Sequence, residues 1–143
     1  MATNIRSGRA SSSDPGRSAL VYVIDDDASL LRALQRLLLA SGFTVGVFSS
    51  AEDFLESEHP GAADCLVLDV HLGGLSGFEL NDQLVAAGAQ IPVVFITAHD
   101  DAPTRERARR AGAVGYLRKP FDEESLIGAI RKALGGSGLP SAS

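Results

Sequence analysis

Five short apolar runs alternate along the chain with five segments whose large apolar residues recur at helical spacing. Leu20 to Ile24, Phe43 to Phe48, Cys65 to Leu68, Ile91 to Ile96 and Val114 to Leu117 are continuous and branched enough for buried strands. Between them, Leu30, Leu31, Leu34, Leu37 and Leu38 trace one helix face, stopped by Gly42. Ser49 followed by Glu52 reads as a capping box that opens a helix with Phe54 and Leu55, ending before Pro60 and Gly61. Phe78, Leu80 and Leu84 mark a helix from about Gly77 to Ala87. Asp100 or Asp101 can cap the next, with Pro103 in its first turn, where a missing N–H does no harm. Asp122 caps a last helix carrying Leu126, Ile127, Ile130 and Leu134, with Gly135, Gly136 and Gly138 to end it.

Strands that are apolar throughout, each followed by a helix, predict an α/β fold: a doubly wound, five-stranded parallel sheet covered on both faces. Right-handed crossovers bring every strand's carboxyl end to one edge, so Asp25, Asp69, Thr97 and Lys119 converge there. A strand order of 2-1-3-4-5 would set strands one and three side by side and bring Asp25 and Asp26 next to Asp69.

The chain of 143 residues is long enough for one domain with a proper core. Residues 1–18 hold serines, glycines and arginines with Ile5 as the only bulky apolar side chain between Met1 and Leu20, and read as a disordered tail; they have neither an amphipathic face nor an apolar signal-peptide core. The domain is expected over residues 19–134 and a second flexible tail over 135–143. A net charge of −5 argues against nucleic acid as the main partner, and no run is long enough to span a bilayer. Cys65 is the single cysteine and sits inside a predicted strand, so it reads as a buried, inert thiol that suits a reducing compartment.

The chemistry centres on Cys65 to Gly77, CLVLDVHLGGLSG, where a buried strand stops at a lone carboxylate and a glycine-rich loop follows. Asp69 taken alone is better explained as a cap of the loop or helix that follows; its neighbours across the sheet edge change that reading. Three carboxylates crowded together call for a cation, and hard oxygen donors suit Mg²⁺. Lys119 supplies a compact positive charge for one phosphoryl oxygen and Thr97 a hydroxyl for another. Asp69 is then the expected nucleophile, and an aspartyl phosphate the product.

Val21 to Asp27 (VYVIDDD), Leu68-Asp69, Phe95 to Ala98 (FITA) and Tyr116 to Phe121 (YLRKPF) together resemble the receiver domain of two-component response regulators, in order and spacing from Ala19 to Leu134. The resemblance implies a flavodoxin-like, CheY-like (βα)5 fold and phosphorylation of Asp69 from a phosphohistidine on a sensor histidine kinase or phosphotransfer protein. It implies that Asp26, Asp69 and the His71 backbone carbonyl ligate Mg²⁺ directly, with Asp25 acting through water. Lys119 would hold the phosphoryl group, with a cis bond to Pro120, and Thr97 and Tyr116 would form the switch pair that alters the surface of the fourth helix, fifth strand and fifth helix. A cytoplasmic setting follows, and a dimer formed on phosphorylation is left open.

Asp27 is expected to cap a helix, and Arg105, Arg107, Arg109 and Arg110 to form a solvated face diluted by Glu106. His71 and His99 each lie two residues beyond a site residue, Asp69 and Thr97, and are expected to tune phosphoryl lifetime, with a pH dependence between roughly 6 and 8. Three competing functions remain: a Mg²⁺-dependent phosphatase working through an aspartyl phosphate, a flavin carrier of the same sheet order, and an interaction domain that is never phosphorylated. The phosphatase lacks a second carboxylate two residues after Asp69, the acidic cluster opposes an anionic flavin phosphate, and the intact acids, Thr97 and Lys119 oppose the last. No helix-turn-helix pattern follows Leu134, so a single-domain regulator acting through proteins rather than as an enzyme is expected.

Overall fold

The computed structural model describes residues 18–135. The elements run β1 (Leu20–Ile24), α1 (Ala28–Ala40), β2 (Thr44–Phe48), α2 (Ala51–Glu56), β3 (Cys65–Asp69), α3 (Gly77–Ala86), β4 (Val93–Thr97), α4 (Ala102–Arg110), β5 (Gly115–Arg118) and α5 (Glu123–Gly135). A short 3₁₀ turn, Pro60–Ala62, precedes β3. All pairings are parallel and the sheet order is 2-1-3-4-5, as the alternation of patterns required.

Side chains alternate across the pleat and divide the core in two. Val21, Val23, Cys65, Val67, Val94 and Ile96 face α1 and α5, meeting Leu31, Leu34, Leu38, Leu126 and Ile130. Ile24, Leu66, Leu68 and Phe95 face α2, α3 and α4, meeting Phe54, Phe78, Leu80, Leu84 and Ala108. Every residue of β3 and β4 is buried, which is why both read as unbroken apolar runs.

The helix starts depend on local hydrogen bonds. The Asp27 carboxylate accepts from the Ser29 and Leu30 N–H groups at 3.0 and 3.1 Å, as a capping acid should. Asp101, not Asp100, caps α4 by accepting from the Thr104 N–H at 2.9 Å. Asp122 accepts from the Ser125 N–H at 2.7 Å ahead of α5.

Some boundaries differ from the sequence reading, each for a hydrogen-bonding reason. Phe43 is not in β2, because its N–H closes α1 on the Leu38 carbonyl. Pro92 has no N–H to offer, and β4 starts after it and runs on to Thr97, which pairs with Arg118. The capping box expected at Ser49 and Glu52 is one residue out: Ser50 caps α2, accepting from the Asp53 N–H at 2.9 Å, while the Ser49 hydroxyl donates to the Asp53 carboxylate. A complete box stands instead at α3, where Ser76 and Glu79 exchange both bonds. α5 continues through Gly135, the first residue of the expected second tail. The rest of the expected tails, residues 1–17 and 136–143, lies outside the described residues.

Candidate functional site

The carboxyl edge of the sheet gathers the expected side chains. Asp25 follows directly on β1 and is fully buried; its Oδ1 accepts from the Asp27 N–H at 2.9 Å, and its Oδ2 lies 2.7 Å from the Lys119 Nζ. Asp69 ends β3 at 3% exposure, its Oδ1 accepting from the His71 N–H at 3.1 Å and its Oδ2 lying 3.3 Å from the same Lys119 Nζ. One ammonium therefore bridges two buried carboxylates at the carboxyl ends of the adjacent strands β1 and β3. The Lys119–Pro120 peptide bond is cis.

Asp26 is exposed, yet it and the two buried acids offer oxygens that all lie within 4.8 Å of one another. Such an all-carboxylate set, with one member open to water, has the donor chemistry of a hard divalent cation site. Burial pushes the Asp69 carboxyl above the usual range; the His71 N–H pulls it back, the Asp25 charge pushes it further up, and Lys119 opposes both. For Lys119, burial alone would lower the ammonium, but the hydrogen bond and charge of Asp25, with those of Asp69, outweigh it and raise the group. The pocket thus holds more negative charge than one lysine satisfies, which favours a further cation.

Thr97 is fully buried at the end of β4, and its hydroxyl is turned into the β4–α4 loop. It donates to the His99 carbonyl at 3.2 Å and accepts from the His99 N–H at 3.0 Å. Tyr116 on β5 is half-buried and its hydroxyl donates to Asp100 Oδ1 at 3.2 Å, so both members of the expected switch pair fasten neighbouring residues of one loop. Burial, then the hydrogen bond and charge of Asp100, push the Tyr116 phenol up to about 12, keeping the hydroxyl a donor at neutral pH. His71 and His99, both exposed, meet edge to face with ring centroids 5.1 Å apart, joining the β3–α3 and β4–α4 loops beside Asp69.

The sequence reading did not find three contributors. Gly77 opens α3 so close to β3 that any Cβ there would collide with the Asp69 carbonyl oxygen. Glu52, read as half of a capping box, turns its carboxylate across to accept from the Leu75 N–H at 3.3 Å, anchoring the loop after Asp69. Asp100, read as an alternative cap, is the joint partner of Tyr116 and Arg105. Only Gly77 left a local signal, a glycine just behind a capping serine. The arginines of α4 are paired rather than free: Arg105 with Asp100, Arg109 and Arg110 with Glu106, and Arg107 with Asp82 of α3.

The sequence profile of the response regulator receiver domain matches residues 21–131. The response regulator protein TodT of Pseudomonas putida is 45% identical over 118 residues, which are 82% of this chain and 52% of that one. The solved structure of the response regulator StyR, 47% identical, superposes with a TM-score of 0.76 over 82% of this chain and 60% of that one. A response regulator receiver protein from Burkholderia phymatum is 43% identical, with a TM-score of 0.73 over 82% of this chain and 96% of that one. The chain spans about half the length of the curated relatives it matches.

Proposed function

The chain belongs to the response regulator receiver family, the phosphate-accepting module of two-component signalling, and from that premise we propose that Asp69 is its phosphoacceptor and that Asp25, Asp26, Thr97, Tyr116 and Lys119 serve that chemistry. The observation that carries this is the Lys119 ammonium held between the buried Asp25 and Asp69 carboxylates. It keeps a positive charge at the nucleophile without neutralising it by proton transfer, and it stands ready to shift to an incoming phosphoryl oxygen. Asp25, Asp26 and Asp69, with the His71 carbonyl, would hold Mg²⁺, which when bound offsets charge on the phosphoryl oxygens.

The donor is a phosphohistidine on a sensor kinase or phosphotransfer protein. An Asp69 carboxylate oxygen forms the new O–P bond while the P–N bond to the donor breaks, and the departing imidazole takes a proton from solvent. The Thr97 hydroxyl donates to a phosphoryl oxygen, and to do so it leaves the His99 carbonyl. That frees the loop which Tyr116 also holds through Asp100, so the change reaches α4 and the surface beside it. Turnover stops at forming and hydrolysing the aspartyl phosphate, and the packed rings of His71 and His99 restrict the attacking water on one side. The domain works in the cytoplasm on this reading, where its kinase presents the phosphohistidine, and its output passes to a protein partner or a second copy.

Intact mass after incubation with acetyl phosphate and Mg²⁺ tests the assignment. Wild type is expected to gain a single phosphoryl group and Asp69→Ala none. Equal gain in both, or none in wild type, overturns it.

A further inference from the structure

Phe78, Asn81, Asp82 and Val85 form the i, i+3, i+4, i+7 stripe of one face of α3, and residues of α4 and its C-terminal cap lie against that face. At the upper end of that seam the gap is closed. The Arg107 guanidinium lies 4.7 Å from the Phe78 ring centroid and 3.5 Å from the Asp82 carboxylate. Lower down, α4 and its cap offer only Ala108, Ala111 and Gly112, side chains too small to fill the space. An open groove of about 360 Å³ results, with Val85 exposed at its edge and Ile91, Pro92, Val93 and Val114 along its walls.

One lining residue does not belong to an apolar wall. Asn81 is only 7% exposed, and its carboxamide has no hydrogen-bond partner within the described protein. An amide at the floor of this groove with no protein partner is left to bond water or a ligand, a demand that a leucine in the same place would not make. Departures from a folding rule are expected at functional sites, where a ligand can supply the missing group. No charged residue lines the pocket, and the only other side-chain amide there is Gln90 at the exposed rim. The volume falls in the range that holds small organic molecules.

We propose that the pocket between α3 and α4 binds a small neutral molecule with a compact apolar or aromatic body and one carboxamide or hydroxyl, read by the Asn81 carboxamide. A carboxamide is the best match, because it donates to the Asn81 oxygen and accepts from the Asn81 nitrogen at once. The apolar body displaces water from Val85, Ile91 and Val114. The site lies toward the end of β4 opposite Thr97 and does not depend on the chemistry of Asp69.

Titration of the whole chain with benzamide, followed by backbone amide NMR, tests the proposal. Saturable shifts confined to the Asn81, Val85, Ile91 and Val114 neighbourhood are expected, with a midpoint on the order of a millimolar. Benzoate, equal in shape but charged, is expected to bind roughly tenfold more weakly or worse. Asn81→Leu, which fills the space, and Asn81→Ala, which enlarges it, should each weaken benzamide by about tenfold, while toluene binds Asn81→Ala at least as well as wild type. If the amide is merely hydrated, benzamide gives no saturable shift in wild type, and that result overturns the site. Equal benzamide affinity in wild type and Asn81→Ala overturns the role of Asn81.

Discussion

α4 and α5 flank the same strand and are attached to the molecule in opposite ways. α5 buries Leu126, Ile130 and Ala133 and packs against β3, β4 and β5. α4 buries one side chain, Ala108, and is otherwise held by its edges: Arg107 on Phe78 and Asp82, Arg105 on Asp100, and Asp100 in turn on the Tyr116 hydroxyl. Moving α5 would expose a large apolar surface, whereas moving α4 exchanges a few half-exposed polar contacts for water. On the proposed reading, a phosphoryl group that drew Thr97 inward would have a movable neighbour on one side of β5 and a fixed one on the other.

The largest expected effect tests the fixed side. Cys65 lies in the core beneath α1 and α5, and burial, with the charge of Asp64 adding to it, pushes its thiol up to about 12. Labelling with a disulfide reagent at pH 8 should be suppressed roughly a thousandfold or more relative to the unfolded chain. The same shift carries a pH dependence. The protonated thiol is favoured in the fold, so its contribution to stability is complete below the unfolded thiol range near ~8.5 and is lost as pH rises toward 12. Urea melts between pH 8 and 11 should show a steeper loss for wild type than for Cys65→Ala. Fast labelling of the native protein would mean that the α5 face opens readily, and the contrast between the helices would fail.

Next in size is Ile130→Ala. Truncating a fully buried side chain under α5 should cost about 2–5 kcal/mol in urea unfolding. A loss below ~1 kcal/mol would mean that α5 is not anchored as described. The smallest effect on stability, and the sharpest on dynamics, is expected from Arg107→Ala. Its ion pair and ring contact are half-exposed and screened, so the loss should stay within about 1 kcal/mol. Amide exchange should nevertheless speed up through α4 while α5 stays protected. Equal acceleration in both helices would show that they move as one unit.

Sequence legibility tracked the distance over which each feature is decided. The strand at Cys65–Asp69 and the face of α1 were readable because apolar period and burial are properties of consecutive residues. The choice between Ser49 and Ser50 as a cap was not, since both serines precede an acidic residue at the right spacing and only the end of β2 at Phe48 decides which one is extended. Glu52 was misread for a related reason. Its partner, Leu75, is 23 residues away, beyond the reach of any local pattern.

The order of apolar and polar residues, by itself, determined the five parallel strands, the helices between them and the arrival of Asp25, Asp69, Thr97 and Lys119 at one edge. Chain chirality and strand period leave few other ways to bury those runs. Only the tertiary structure decided that Lys119 sits between Asp25 and Asp69, that Thr97 and Tyr116 fasten one loop, and that Asn81 lines a pocket. Each depends on how closely elements far apart in sequence approach, which the side chains packed between them set: the bare Gly77 against β3, and the small Ala108, Ala111 and Gly112 opposite α3.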